Sequence, residues 1–197
     1  LDTASPEALA AALDACDGKV LINSVDGNPE RLEAVLPLAK RAGAAVVCLA
    51  MDKGCGIPRT AAERVAIVER IRAAAAAAGI ADCDLVVDCL TLAVSADQSM
   101  GRVALDAMRV VSGQLGLNVT AGVSNISFGL PDRALLNASF LAMACAAGLT
   151  SAIVNPHSAP VVDALRAADV LVGRDRRAAA FLRAWRAGKA GSKEKAG

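Results

Sequence analysis

Four side chains in this sequence stand where a buried apolar run gives way to a loop: Asn23, Asp88, Asn125 and Asn155. Three are carboxamides and one is a carboxylate. Asn carries a donor and an acceptor on one short arm, so it can follow a ligand whose protonation changes. The stretch Gly122 to Asn137, GVSNISFGLPDRALLN, is the richest in signals. An apolar run ends at Ser124-Asn125, a loop punctuated by Gly and Pro follows, and an Ala/Leu-rich helix begins. Active sites of α/β proteins are built where parallel strands end.

The elements that must position these groups are legible in the periodicity. Short apolar runs at Lys19–Ile22, Ala44–Ala50, Asp84–Val87, Asn118–Val123 and Ser151–Val154 predict five strands. Ala/Leu/Arg-rich segments with helical periodicity lie between them. Such a sheet is buried on both faces, so polar groups gather at its rim. Ser5-Pro6-Glu7 predicts a helix start, with Ser as N-cap, Pro at the first helical position and an acid near the positive dipole end. Thr60-Ala-Ala-Glu63 predicts a capping box for a helix that ends at Gly79. Pro29–Arg41 is amphipathic, with Leu32, Val35, Leu36 and Leu38 inward. Asp97–Leu115, Pro160–Ala168 and a basic Arg174–Arg186 segment bearing Phe181, Leu182 and Trp185 are the other expected helices, and the Lys/Gly-rich tail from Gly188 is expected to be disordered. Gly54 to Pro58 is a turn-rich loop able to move over a ligand, and Met143 is expected in the core.

Composition narrows the class. A chain of 197 residues with 55% hydrophobic residues can bury one substantial core. A net charge of +1, without a basic stripe carrying interleaved aromatics, argues against nucleic acid. No apolar run approaches the ~20 residues of a spanning helix, and no signal peptide opens the chain, so the cytoplasm is the expected compartment and no membrane partner is expected. Cys16, Cys48, Cys55, Cys83, Cys89 and Cys145 form no CxxC pair, and His157 is the only histidine. Free, buried or partly buried thiols are therefore expected, with no metal site.

Several separated motifs then carry a resemblance. LDTA (1–4), INSVDGNPERLEAVLPLAKRAGA (22–44), MDKGCGIPRTAAERVAIVERI (51–71), LVVDCL (85–90) and GVSNISFGLPDRALLNASFLAMACAAGLTSAIVNP (122–156) resemble the pterin-binding methyltransferases. That family includes the folate domain of cobalamin-dependent methionine synthase and the methyltransferase serving the corrinoid iron–sulfur protein. The resemblance reaches about Ala168 and implies a TIM (β/α)8 barrel of the pterin-binding type. Asp2 matches the Asp that follows the third barrel strand. The chain then corresponds to strands 4 to 8, lacking the first two strand–helix units and most of strand 3. A partial barrel over residues 1–174 and a basic helix with tail over 175–197 are the expected units. Activity of such a chain alone is in question, because opened barrels expose unpaired edges.

The resemblance also implies chemistry. Methyl transfer would run between 5-methyltetrahydrofolate (giving tetrahydrofolate) and the cobalt of a corrinoid, a cobalamin, borne on a partner protein or domain. A pterin edge offers a row of N–H donors, and an ionised acid accepts two parallel N–H bonds. By resemblance Asp2, Asn23 and Asp88 hold the pterin. Asn125 matches the Asn that reaches N5, and is the expected catalytic residue as well as a pterin contact. Ser124, Arg133 and Asn155 are candidates for supporting those contacts, Arg133 alternatively pairing with Asp132 or Asp163 at the surface. Asp52 and Lys53 are expected to touch the ligand or to pair with each other. Family members often have Pro where Cys89 follows Asp88, so that turn is expected to differ. A homodimer is the expected assembly. The alternative enzyme is dihydropteroate synthase, which shares the barrel; against it, the last two strand ends, Ser124-Asn125 and Asn155-Pro156-His157, carry no cation for a diphosphate leaving group. A non-catalytic module that binds a pterin or a corrinoid protein is the other alternative.

Overall fold

The computed structural model describes the backbone of residues 1–194 and the side chains of residues 1–187. The chain alternates helices and strands: α1 (Pro6–Asp14), β1 (Leu21–Val25), α2 (Pro29–Ala42), β2 (Ala45–Leu49), α3 (Ala61–Ala77), β3 (Leu85–Asp88), α4 (Ser99–Gly113), β4 (Asn118–Thr120), α5 (Arg133–Ala146), α6 (Ala159–Leu171) and α7 (Ala179–Glu194). The strands form one parallel sheet in the order β1-β2-β3-β4. Sequential order in a parallel sheet, each crossover a helix, is the arrangement of an α/β barrel wall.

Local chemistry explains the boundaries. The Ser5 hydroxyl accepts from the Ala8 amide, with Pro6 opening α1. At α3 the Thr60 hydroxyl accepts from the Glu63 amide while the Glu63 carboxylate accepts from the Thr60 amide, so the capping box is closed. Gly43 ends α2 at φ +60°, a conformation that costs a side-chain-bearing residue energy. Leu32, Val35 and Leu36 of α2, Ile67, Val68 and Ile71 of α3, and Ala104, Met108 and Val111 of α4 pack on strand residues Ile22, Val46, Cys48, Val87 and Val119 in one core.

The expected fifth strand is not a regular element. Ser151–Val154 meets the sheet through an isolated parallel bridge between Gly122 and Ile153. The Thr150 hydroxyl accepts from the Val119 amide and donates to the Val119 carbonyl, both at 2.9 Å, beside backbone bonds from the Ser151 amide to the Val119 carbonyl (3.0 Å) and from the Ile153 amide to the Ala121 carbonyl (2.9 Å). β4 is shorter than expected because after Thr120 the chain turns into a 3₁₀ segment at Val123–Ser127. β1 is shifted instead, running to Val25 with Asn23 inside it and its register slipping between Asn23 and Val25. The basic segment from Arg174 is broken by left-handed Arg177 (φ 58°) and Ala178 (φ 51°), so α7 starts only at Ala179. Up to Glu194 its backbone is helical, unlike the disorder expected from Gly188; residues 195–197 lie outside the described residues. Met143 is exposed on α5 rather than in the core, its place at the interface being taken by Phe140, Leu141 and Ala144.

The sheet is an open arc. Beyond β1, among the described residues, lies the bridge between Asp2 and Asn23, and Leu21 and Ile153 at the two margins are 45% and 62% exposed. Closing a barrel would require further strands between those margins.

Candidate functional site

Register places the predicted residues at one end. Asp2 bridges Asn23, Asn23 lies opposite Val47, and Asp88 lies opposite Leu49 on one side and Thr120 on the other. Asp88 is the C-terminal residue of β3, whereas Asn23 lies inside β1, two residues before its end at Val25. Neighbouring strands run about 4.8 Å apart, so the β1 and β3 ends are separated by roughly 10 Å. Asn125 follows β4 in the adjacent 3₁₀ turn. Asp2, Asp88 and Asn125 thus lie toward the C-terminal side of the sheet, while Asn23, expected to follow its strand, sits within β1 because that strand runs on to Val25.

Asp88 is the most constrained of the four. Its Oδ1 accepts from the Leu90 amide at 2.8 Å, and among the described residues Oδ2 has no hydrogen-bond partner. Burial pushes its carboxyl above the ordinary range, opposed by the Leu90 amide and by the nearby Arg64. The turn is strained: Leu90 sits at φ +63° without being glycine. Thr91, almost fully buried, has the only buried side-chain polar atom without a partner among the described residues. Cys89 is buried, and its thiol is pushed up to about 12 by desolvation, so it is an inert core group.

Asp2 and Asn23 share a recess with Thr3, Ser24 and Asp26. The Asn23 amide donates to the Leu1 carbonyl at 2.7 Å, which ties the N-terminal segment to β1. Arg31, from the first turn of α2, locks the same place: its guanidinium donates to the carbonyls of Thr3, Ala4 and Ser24 at 2.7–3.1 Å. Asp2 is exposed and Asn23 partly so.

The β4 end is more open. Asn125 is exposed, and among the described residues its carboxamide makes no hydrogen bond. A Cβ on Gly122 would sit 3.0 Å from the Asn125 Nδ2, so glycine there leaves the carboxamide its room. Arg133, from the start of α5, donates to the Ser124 carbonyl at 2.9 Å and to the Ser127 hydroxyl at 3.1 Å, and its guanidinium lies 5.8 Å from the Phe128 ring centre. Neither Asp132 nor Asp163 pairs with it; Asp163 is taken by Arg166. Ser124, Arg133 and Asn155 line one recess beside Asn137 and Ser158. Asn155 Oδ1 accepts from the His157 amide at 3.0 Å, so part of its capacity goes to its own turn. The strand ends carry no cation of their own, but Arg133 reaches Ser124 from the helix, which amends the sequence expectation.

Asp52 and Lys53 do not pair with each other. Asp52 binds Arg70, and its carboxyl is held down at about 2 by the Cys55 amide and thiol and then by Arg70. Lys53 pairs with Glu30 at 2.8 Å. An antiparallel bridge between Asp52 and Gly56 closes the loop on itself. Of the cysteines, Cys48, Cys89 and Cys145 are buried, whereas Cys16, Cys55 and Cys83 are exposed rather than buried or partly so, and all are free. Among the described residues no group of three His, Cys, Asp or Glu could hold a metal ion, and no helix is long and apolar enough to cross a membrane.

Sequence reasoning missed Arg64. It is fully buried on α3 and donates to the carbonyls of Pro58 (2.9 Å), Cys89 (2.7 Å) and Leu90 (2.7 Å). The signal was present: Arg64, Ile67, Val68 and Ile71 have the i, i+3, i+4, i+7 spacing of one buried helix face. Arg31 was missed for the same reason, since a cation in an amphipathic helix reads as solvated.

The sequence matches the family model for pterin binding enzymes over residues 1–155. It is 30% identical over 195 residues to a methylcorrinoid:tetrahydrofolate methyltransferase of Eubacterium limosum, an alignment covering 97% of this chain and 71% of the relative. It is 35% identical over 168 residues to methionine synthase of Mycobacterium leprae (strain TN), spanning 79% of this chain but only 14% of that protein. In fold it is similar to a Yersinia pestis DHPS holding a pterine–sulfa conjugate (TM-score 0.66, 17% identity, 87% of this chain and 67% of that one). It is similarly close to dihydropteroate synthase from Stenotrophomonas maltophilia (TM-score 0.64, 21% identity, 86% and 67%). The parallel arc with its polar rim is therefore part of a pterin-type TIM barrel, and the chain belongs to the pterin-binding enzyme family.

Proposed function

We propose that this chain carries the pterin-binding part of a methyltransferase that moves a methyl group between 5-methyltetrahydrofolate and the cobalt of a corrinoid protein. The observation that supports it best is the pairing of a preset acceptor with a free carboxamide on one rim: the unpartnered Oδ2 of Asp88 and the unbonded side chain of Asn125. The names of the two sequence relatives point the same way.

In this reading Asp88, Asn23 and Asp2 accept N–H bonds from the pterin edge. The residues present fit that ligand, since a carboxylate with one oxygen open is a suitable acceptor for such a donor row. Asn125 lies against N5. A tertiary amine is a poor leaving group, so N5 must gain a proton or a strong hydrogen bond as the methyl departs. A carboxamide bond that strengthens in the transition state provides differential binding. Arg133 and Ser124 hold the turn that carries Asn125, and Asn155 borders it. The corrinoid, held by a partner, supplies the cobalt that takes or gives the methyl group. The rim must then stay open to a large partner. The reading also takes the protein as a cytoplasmic homodimer whose barrel is completed by further strands.

The test is spectroscopic. Residues 1–197, joined to the strand–helix units that complete the barrel, are mixed with 5-methyltetrahydrofolate and a reduced corrinoid. Conversion of the reduced to the methylated corrinoid spectrum is expected. Release of diphosphate from a pterin diphosphate, with no corrinoid change, would instead favour the dihydropteroate synthase reading.

A further inference from the structure

We propose that Arg64 is a positioning residue for Asp88: its buried guanidinium holds the Cys89–Leu90 turn in the conformation that ties one carboxylate oxygen and leaves the other free for the ligand. This deepens the pterin reading and rests on it for the ligand's identity. The contacts form an unbroken chain. Arg64 donates to the Cys89 and Leu90 carbonyls, and the Leu90 amide in turn donates to Asp88 Oδ1. A third bond, to the Pro58 carbonyl, ties the turn to the loop entering α3, and Met100 Sδ lies 3.7 Å from the guanidinium.

Two features indicate that the turn does not hold itself. Leu90 occupies the left-handed region, which is unfavourable for a residue with a Cβ. Thr91 leaves a buried hydroxyl unpartnered beside it. Strained conformations persist where surrounding structure over-determines them, and they concentrate at functional sites. Here the over-determining group is a buried cation with no carboxylate partner among the described residues, bonded to backbone oxygens. Those bonds use the planar guanidinium fork, which an ammonium does not reproduce. The charged and titratable groups set around Asp88 are Arg64 and the Cys89 thiol; the cation favours the ionised acid.

The experiment uses the 197-residue chain with Arg64→Lys and Arg64→Gln. Carbon NMR follows the Asp88 carboxyl through its titration, and the Leu90 amide proton is followed in the same samples. Tetrahydrofolate affinity is measured alongside. In the parent chain the Leu90 amide shift should follow the Asp88 titration. In Arg64→Lys the carboxyl midpoint should stay near the parent value, while the Leu90 response shrinks. Its tetrahydrofolate affinity should fall about tenfold or more, the scale of a lost charge-assisted hydrogen bond. In Arg64→Gln the midpoint should also move up. An Arg64→Lys chain with the parent Leu90 response and parent affinity would overturn the proposal, and this variant decides alone if Arg64→Gln does not fold. If neither the parent chain nor the completed barrel binds tetrahydrofolate, the pterin reading fails, while the Leu90 response still decides the role of Arg64.

Discussion

The turns after β3 and β4 do opposite things with similar means. After β3, Asp88 is half-buried, one oxygen is bonded, and the backbone around it is strained and clamped by a buried arginine. After β4, Asn125 is exposed in a 3₁₀ turn, its backbone held by Gly122 and Phe128 but its carboxamide unbonded. Arg133 steadies that turn from α5 while itself exposed, without the burial of Arg64. Under the proposed function the contrast is a division of labour. A group used equally in ground and transition states gains from being fixed in advance, whereas a group whose bond must strengthen during reaction gains from freedom to adjust.

The largest expected effect falls on the clamp. Arg64→Ala leaves the Pro58, Cys89 and Leu90 carbonyls without their donor and opens a cavity, so urea unfolding should show a loss of roughly 3–5 kcal/mol. A loss below about 1 kcal/mol, within the range of ordinary surface changes, would mean the turn holds itself. Next, Asp88→Ala should weaken pterin binding by roughly 1.5–3 kcal/mol, the worth of a charged hydrogen bond, in an equilibrium titration with tetrahydrofolate. Asp88→Asn sharpens the comparison through pH. Burial raises the Asp88 pKa in the folded chain, so ionising it opposes folding; the parent's relative stability is full below the ordinary carboxylate range and declines as pH rises through the raised value. Asp88→Asn should therefore be more stable than the parent at pH 7 and lose that advantage near pH 3. An advantage that instead grew toward acid would reverse the assigned cause. Smaller still, Thr60→Ala removes the α3 cap and should cost about 1 kcal/mol. Lys53→Ala, which breaks an exposed pair with Glu30, should leave the thermal midpoint unchanged.

Much of this arrangement was legible. Strand–helix alternation and the capping signals at Ser5 and Thr60 report local chemistry, which sequence carries directly. The rim residues were legible because strand ends in parallel sheets share one side. What failed depended on distant partners. The last strand is reduced to a bridge at Ile153, with the Thr150 hydroxyl taking the Val119 amide, a contact across the sequence. Arg177 and Ala178 took left-handed conformations that no glycine announced. The clamps were passed over, although Arg64 lies on the apolar face of α3, because a charged residue reads as solvated until its acceptors, most of them backbone carbonyls of other elements, are seen.

The central claim is that Asp88 binds while Asn125 acts in the reaction. Single-turnover methyl transfer at saturating 5-methyltetrahydrofolate, in a completed barrel carrying either Asp88→Ala or Asn125→Ala and shown to be folded, tests it most directly. Asn125→Ala should slow transfer by roughly 10²-fold or more, about 2–4 kcal/mol of transition-state stabilisation. Asp88→Ala should approach the parent rate once saturated. Parent-rate transfer by saturated Asn125→Ala would contradict the account and leave Asn125 as a binding or structural residue.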